Sequence, residues 1–305
     1  MTSGLRKIVD SMARLARLDR QVDDIKINQG RILAGLNRDR RHERLSDYEF
    51  KVFSQWGEDG IIQHLIAHLD IPNRTFIEFG IEDFSESNCR FLMMKDHWQG
   101  YVIDGSEANI GRLRSSYYYW RYPLTAQAAF ITRDNIDALL DKSGFGPQPG
   151  LLSIDLDGVD WHVLEALRHW QPSILVVEYN DVFGFERAVS VPYAPTFVRA
   201  DAHFSNLYWG ASLPAFAYLA NEMGMALVGI NGAGSNAFFV RRELLNERVA
   251  EVTMEACRRP ASFSDSRDAA GGLTFVRGAA RRAVIADMPL VDVVSGAALR
   301  VGDLP

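Results

Sequence analysis

The chain has 305 residues, of which 47% are hydrophobic and 24% are charged, and its formal net charge is −6 at pH 7. This is the composition of a globular protein, and the length is enough to bury a large core. The negative charge argues against a nucleic-acid-binding protein, because no overall positive field would attract a polyanion.

The sequence also predicts a cytoplasmic setting. Its two cysteines, Cys89 and Cys257, lie far apart and form no metal-type spacing, which favours a reduced compartment. No apolar run approaches the roughly 20 residues needed to span a bilayer. Arg6, Lys7 and Asp10 occupy the region where a signal peptide would need its apolar core.

Residues 1–45 predict a helical arm. Apolar residues recur there mostly at steps of three or four, which indicates one apolar stripe on a helix: Leu5, Ile8, Met12, Leu15, Val22 and Ile25. Asp19 interrupts the heptad, and Gly30 and Gly35 weaken its end, so a long coiled coil is not expected. We expect a short arm through which the protein forms a homo-oligomer; the alternative is a helix packed on its own domain.

Residues 46–247 predict a single α/β domain. Short apolar runs alternate there with helical stretches, which indicates a parallel sheet covered on both faces. The predicted strands are TFIEF (75–79), GYVID (100–104), AAFIT (128–132), LLSID (151–155) and ILVVEY (174–179).

The pattern changes after residue 212. A helix at 213–224 is followed by two apolar runs, 226–230 and 236–240, joined by the turn NGAGS, which indicates a hairpin with an antiparallel last strand. Five parallel strands followed by a hairpin resemble the Rossmann-like sheet of class I S-adenosylmethionine-dependent methyltransferases. Residues 248–305 form a C-terminal extension in which "RRAVIADMPLVDVV" suggests a helix or strand.

Ligands of open α/β sheets bind beyond the carboxyl ends of the strands. Glu78 and Gly80 close the first predicted strand, where methyltransferases hold the methionine part of the cofactor and an acid lies near its ammonium group. Asp104 ends the second strand, 24 positions after Gly80, and suits a pair of ribose hydroxyls. The alternative for Glu78 is a strand end with a solvated acidic loop. The candidate cofactor-binding residues are Gln55, Glu58, Glu78, Gly80, Asp83, Asn88, Asp104 and Asp134.

Two of the segments that carry these residues have competing interpretations. Asp134 or Asn135 could meet the adenine edge, or Asn135 or Thr132 could cap the next helix. The segment 53–62 could open a helix, or it could fold Gln55 and Glu58 over the cofactor.

The fourth strand ends in "SIDLDGVDW", which brings three acids into six residues. Asp155 and Asp157 point to one face of a strand, and such a pair is costly unless a cation, a proton or an arginine compensates. We expect Asp160 to cap the following helix. The candidate catalytic residues are Asp155, Asp157, Glu178, Asn180 and His203, and the candidate ligands of Mg²⁺ or another divalent cation are Asp155, Glu178 and Asn180.

Aromatic residues after the fifth strand have two interpretations. They could form a wall on which a sugar stacks, or an aromatic core under a long loop. These residues are Tyr193, His203, Tyr208 and Trp209.

Several motifs together resemble the FkbM-type methyltransferases of bacteria. They are SQWGED, FIEFG, LLSIDLDGVDW, VVEYN, VPY, YWGASL and NAFFVR, and they run from about Phe53 to Arg241. Relatives read E-F-G-x-x-D-G where this chain has EFGIEDF, so Phe84 replaces a glycine. The resemblance implies a Rossmann-like fold and methyl transfer to a hydroxyl, often in glycan pathways.

The sequence therefore predicts an S-adenosylmethionine-dependent enzyme that methylates a hydroxyl of a saccharide or another small molecule. One alternative takes Asp155-Leu156-Asp157 as the D-x-D of a metal-dependent nucleotide-sugar glycosyltransferase. Another is a non-catalytic scaffold that keeps the methyltransferase-like fold.

Overall fold

The computed structural model describes residues 3–262 and 265–305, with the side chains of residues 3–17 left out. Its α-helices are α1 (Ser3–Arg38), α2 (Glu58–His68), α3 (Arg90–Asp96), α4 (Glu107–Ser115), α5 (Ile136–Asp141), α6 (Asp160–Ala166), α7 (Arg199–Ala202), α8 (Leu213–Glu222) and α9 (Ala279–Val284). Its strands are β1 (Thr75–Phe79), β2 (Gln99–Asp104), β3 (Leu124–Ala128), β4 (Leu151–Ile154), β5 (Ile174–Glu178), β6 (Val189–Ser190), β7 (Met225–Ile230), β8 (Asn236–Arg241), β9 (Pro289–Asp292) and β10 (Ala298–Arg300). No helix among the described residues is long and apolar enough to cross a membrane.

Seven strands form one sheet in the order β3-β2-β1-β4-β5-β8-β7. The first five are parallel, whereas β8 runs antiparallel to both β5 and β7. Five parallel strands with a final antiparallel hairpin are the Rossmann-like arrangement of methyltransferases. The predicted fold class is confirmed.

The sheet is buried on both faces because its central strands are apolar almost throughout. In β5, Leu175 and Val177 belong to one core cluster, and Ile174 and Val176 belong to the cluster on the opposite face. Side chains along a strand alternate between faces, so a continuous apolar run fills both cores at once. The strand ends that follow these runs are thereby fixed in position.

The third predicted strand was misplaced. The apolar run at 128–132 suggested a strand there, but β3 spans Leu124–Ala128 and lies at the edge of the sheet. Its side chains alternate, with Leu124 and Ala126 buried and Thr125 exposed. An edge strand need not be apolar throughout, so the more apolar stretch was the loop that follows it.

Helix α1 is continuous through both of its glycines. Its inner face packs on the α/β domain through Asp23, Ile27 and Gly30. A Cβ on Gly30 would lie 2.6 Å from atoms of Phe91 and Val52, so this glycine allows the helix to approach the domain closely. Packing of the helix on its own domain is therefore confirmed for the part of α1 that carries Asp23, Ile27 and Gly30.

The outer side of α1 is different. Val22 and Ile25, two members of the predicted apolar stripe, are exposed. The side chains of the other members lie outside the described residues: Leu5, Ile8, Met12 and Leu15.

The C-terminal extension adds both a helix and strands. Helix α9 precedes the hairpin β9–β10, and β9 pairs with β6 to form a separate three-stranded antiparallel sheet. Its apolar residues pack with the segment after β5, as Ile285, Leu290 and Val301 share a cluster with Phe183 and Val189.

Candidate functional site

A cleft of about 550 Å³ opens at the carboxyl ends of the parallel strands. Eight carboxylic side chains line it, against a single arginine, Arg199, in the described part of the chain. The acids are Glu78, Glu82, Glu86, Asp104, Asp155, Asp157, Glu178 and Asp265. A cleft with this excess of negative charge selects cationic ligands, because low-dielectric walls strengthen the field inside it.

Eight of the predicted site residues line this cleft. They are Gln55, Glu78, Gly80, Asn88, Asp104, Asp155, Asp157 and Glu178. They meet because parallel strands end at one edge of the sheet, so residues far apart in sequence reach the same rim.

Glu78 ties the end of β1 to the start of α3. Its Oε2 accepts a hydrogen bond from the Ser87 hydroxyl at 2.6 Å, and its Oε1 accepts one from the backbone N–H of Asn88 at 2.8 Å. Burial raises the pKa of Glu78 to about 7, although these hydrogen bonds oppose the rise. Glu78 therefore changes charge near neutral pH.

Gly80 is needed for packing inside the protein. Its φ is 68°, and a Cβ there would lie 1.5 Å from the backbone oxygen of Asp155. Strands β1 and β4 are adjacent in the sheet, so their ends come this close. The group that approaches this glycine is thus the backbone just after β4.

Phe84 stands where the resembling family has a glycine. It adopts a φ of 66°, the left-handed region that glycine favours, and its side chain is fully buried in the core. The ring therefore points away from the cleft, so the phenylalanine that replaces the glycine does not fill the space for a ligand.

Asp104 organises the loops at the ends of β1 and β2. Its Oδ2 accepts from the backbone N–H of Glu82 at 2.8 Å, and its Oδ1 accepts from that of Ser106 at 2.8 Å. The Asn109 side chain donates to the same Oδ1 at 3.1 Å. A carboxylate offers about four acceptor positions, so room for one hydroxyl donor remains.

Three carboxylates converge at the ends of β4 and β5. Oxygen atoms of Asp155, Asp157 and Glu178 all lie within 4.8 Å of one another. The parallel register pairs Ile154 with Val177, which sets Asp155 beside Glu178. Asp155 and Glu178 therefore lie side by side, where two full negative charges would repel each other.

The charge state of this cluster follows from its surroundings. Burial, followed by the neighbouring charge of Asp157, raises the pKa of Asp155 well above its usual range. Burial and the charge of Asp155 do the same to the pKa of Glu178. The Oε2 atom of Glu178 is buried and has no hydrogen-bond partner among the described residues. An unsatisfied buried acceptor of this kind fits a bound donor or cation.

Arg199 covers the cluster from α7. Its guanidinium pairs with Asp157 and lies 4.7 Å from the centre of the Trp209 ring. Its Nε donates to the backbone oxygen of Asn206 at 2.9 Å, which fixes the side chain. Arg199 thus supplies the compensating charge that the two neighbouring aspartates require.

Asp160 does not cap α6 as predicted, because it is the first residue of that helix and its side chain bonds to the loop before it. Its carboxylate accepts from the backbone N–H groups of Leu156 at 2.6 Å and Gly158 at 2.9 Å. It closes the turn before α6 and holds Asp157 at a φ of 53°.

Two predicted cofactor-binding acids lie outside the cleft. Glu58 is fully buried, and its Oε1 accepts from the side chains of Asn231 at 2.7 Å and Asn236 at 2.8 Å. It opens α2, as one of the two interpretations held, and links that helix to the β7–β8 hairpin. Asp83 pairs with Arg112 on the surface.

The prediction that Asp134 meets the adenine edge is also wrong. It accepts from the Tyr193 hydroxyl at 2.9 Å outside the cleft. Asn135 holds its own loop, since its Oδ1 accepts from the backbone N–H of Thr132 at 2.9 Å. The loop places Phe130 and Ile131 in the cleft instead.

The predictions for Asn180 and His203 are corrected as well. The Asn180 side chain is buried outside the cleft lining. Its Oδ1 accepts from the backbone N–H of Val182 at 3.0 Å, and its Nδ2 donates to the backbone oxygens of Leu207 at 3.0 Å and Trp209 at 2.9 Å. Its oxygen is thus already used, and it does not join the carboxylates as a metal ligand. The His203 Nδ1 lies 2.8 Å from the Ser205 hydroxyl, away from the cleft, and burial lowers its pKa. Asn180 braces the segment that follows β5, and His203 does not reach the carboxylates.

Of the two interpretations of the aromatic residues after β5, the core is correct for Tyr208 and Trp209. Tyr208 and Trp209 are buried, Tyr193 binds Asp134, and none of them lines the cleft in the described structure. The aromatic residues that do line it are Trp56, Phe79, Phe130 and Phe197.

Comparisons with known proteins give weak matches only. No family model matches the chain, and no curated protein does. The solved N-terminal domain of EvdMO1 with SAH bound is 9% identical, with 54% of this chain and 72% of that chain covered and a TM-score of 0.34. The CurJ carbon methyltransferase is 11% identical, with 60% of this chain and 52% of that one covered and a TM-score of 0.34.

A SAM-dependent methyltransferase from Geobacter sulfurreducens in complex with S-adenosyl-L-homocysteine is 15% identical, with 52% of this chain and 59% of that one covered and a TM-score of 0.29. The fold assignment rests on the strand order of the chain itself.

Proposed function

We propose that this protein is an S-adenosylmethionine-dependent methyltransferase that methylates a hydroxyl group of a saccharide or a similar small polyol. The observation that carries the proposal is the acidic cleft at the carboxyl ends of a sheet that ends in an antiparallel hairpin. S-adenosylmethionine bears a sulfonium and an ammonium, so this cleft offers it charge complementarity.

The residues present fit such a cofactor. Asp104 has one free acceptor position for a ribose hydroxyl. Phe130 lines the cleft beside Gly105: a Cβ placed on Gly105 would lie 3.7 Å from the Cδ2 atom of Phe130. The Phe130 side chain is half exposed in this part of the cleft, and an aromatic ring is a suitable stacking partner for a purine. Glu78 and Asn88 line the part of the cleft beside β1, where an ammonium group would meet a carboxylate.

The cofactor would supply an activated methyl group, and the protein would align the acceptor oxygen and remove its proton. The pair of Asp155 and Glu178 suits the second task, because burial raises the pKa of both carboxyl groups, so that an ionised carboxylate of the pair accepts the proton of the acceptor hydroxyl more readily. Arg199 and Asp157 would orient the acceptor beside them.

A second version of the proposal adds a divalent cation to the same site. The oxygens of Asp155, Asp157 and Glu178 are the hard ligands that Mg²⁺ prefers, and Asp157 takes the place that we predicted for Asn180. Exhaustive treatment with a chelator separates the two versions. Loss of methyl transfer that Mg²⁺ restores favours the cation, and unchanged transfer favours the carboxylate pair alone.

The proposal is tested by isothermal titration with S-adenosylmethionine. We expect binding by the wild type and its loss in Asp104→Ala, while the matched control Asp134→Ala, an acid outside the cleft, binds normally. A folded wild-type protein that releases no heat, or an Asp104→Ala variant that binds like the wild type, contradicts the proposal. Parallel thermal-shift runs with UDP-sugars and Mn²⁺ test the glycosyltransferase alternative.

A further inference from the structure

The outer side of α1 carries a continuous row of exposed apolar side chains. Their exposed fractions are 53% for Leu18, 48% for Val22, 66% for Ile25, 65% for Ile32 and 55% for Leu36. Large apolar side chains on a surface helix normally face the core, so five in one row need an explanation.

The row has the spacing of a coiled coil. From Leu18 to Leu36 the steps alternate between four and three residues when Gln29, which is also exposed, is included. This is the a/d seam of a heptad repeat, with Val22, Gln29 and Leu36 at a positions and the intervening members at d positions. A helix that only covers its own domain would bury such a seam.

The domain already occupies a different face of the helix. Asp23 forms a buried ion pair with Arg90, Ile27 is buried, and Gly30 touches Phe91 and Val52. At 100° per residue these inner positions point about 140° away from the centre of the seam. The seam is thus free to pair without disturbing the contact with the domain.

We infer that α1 pairs with α1 of a second copy of this chain in a parallel, two-stranded coiled coil. Gln29 favours this occupant, because a parallel pair places each Gln29 opposite the other, where the two amides can hydrogen-bond. In an antiparallel pair centred on the same residues, Gln29 would face Ile25 and lose that partner. The antiparallel pair would also bring two copies of Lys26 together.

The length of the seam is sufficient. The sequence continues the same register through Leu15 and Ile8 at a positions, with Ser11 at the d position between them, so the repeat covers about four heptads with one further polar seam residue; the side chains of these three residues lie outside the described ones. Asp19, which we first took as an interruption, falls at a flanking e position outside the seam. An interface of this length is in the range where a coiled-coil signal is reliable, and it is self-complementary, as a two-fold dimer requires.

The bodies of the two copies would not collide. Since the domain contacts α1 on the side away from the seam, a parallel pair holds the two domains on opposite sides of the coil. The acidic cleft lies at the strand ends of each domain, so this interface does not depend on what the cleft binds.

Light scattering after size-exclusion chromatography tests the pairing. We expect a dimer for the wild type and a monomer for Ile25→Glu, with unchanged circular dichroism because Ile25 makes no core contact. The matched control Arg31→Glu introduces the same residue on the same helix outside the seam and should remain a dimer. A monomeric wild type, a larger assembly, or a dimer that survives Ile25→Glu overturns the proposal.

Cysteine cross-linking tests the orientation. Cys89 and Cys257 are free and buried, so the background should be low. Under mild oxidation we expect Gln29→Cys to give a covalent dimer and Arg31→Cys to give at least severalfold less. If Gln29→Cys fails to cross-link while the protein is dimeric, the parallel arrangement is wrong.

Discussion

The close contact between Gly80 and the backbone of Asp155 makes Gly80→Ala a sharp test of how the cleft is built. The new Cβ would lie 1.5 Å from the Asp155 oxygen, whereas ordinary contact begins at 3.4 Å. The ends of β1 and β4 would therefore have to separate by about 1.9 Å, the difference between these two distances. In addition, alanine at a φ of 68° is strained.

The expected magnitude follows from these two costs. The left-handed conformation costs an alanine about 1–2 kcal/mol, and overpacking costs about 1–3 kcal/mol. Together they should lower the free energy of unfolding by roughly 2–5 kcal/mol. Because Gly80 and Asp155 both line the cleft, the affinity for S-adenosylhomocysteine should fall at least roughly tenfold.

Urea denaturation and isothermal titration measure the two effects. Gly111→Ala is the matched control, since Gly111 is exposed within α4 and has no atom within 4 Å of the new methyl group. It should gain about 0.5–1 kcal/mol of stability and bind normally. If Gly80→Ala is as stable as the wild type, the close approach of β1 to β4 is wrong.

Three further predictions concern charge. Because the pKa of Glu78 is about 7 in the folded protein against an ordinary 4.5, the folded state binds the proton more tightly, and the free energy of unfolding should fall by roughly 3 kcal/mol as the pH rises from about 4.5 to 7. Denaturation at several pH values should show a flatter dependence in Glu78→Gln, and an unchanged slope would refute this role. Asp23→Ala leaves the buried Arg90 without its partner, so urea denaturation should show a loss of about 3–5 kcal/mol; a loss below about 1 kcal/mol would mean that the pair is unimportant. Asp155→Asn removes a like charge beside Glu178 and so lowers the pKa of Glu178; the acidic limb of the pH–rate profile should move to lower pH, and an unmoved limb would exclude the pair as the base.

Local pattern was enough to predict the central part of the fold. β1, β4 and β5 lie within one residue of their predicted bounds, because buried parallel strands must be apolar throughout and so stand out in the sequence. The edge strand β3 was displaced by four residues, since its alternating pattern is less apolar than the loop after it. Strands that are buried on both faces could be located from the sequence, but the edge strand, which is buried on one face, could not.

The site was predictable where strand ends supply it, as for Asp104, Asp155 and Glu178. It was not predictable where the contacts are distant or irregular. Arg199 lies 42 residues from Asp157 in a segment without periodicity, so no local signal connects the two. Glu58 was assigned to the cofactor because nothing local shows that Asn231, 173 positions away, holds its carboxylate.

A crystal structure of the protein grown with S-adenosylhomocysteine tests the central claim most directly. We predict density for the nucleoside between Asp104 and Phe130, with the amino acid part extending toward Glu78. Density at any other place on the molecule, or an empty cleft at saturating ligand, would contradict the account.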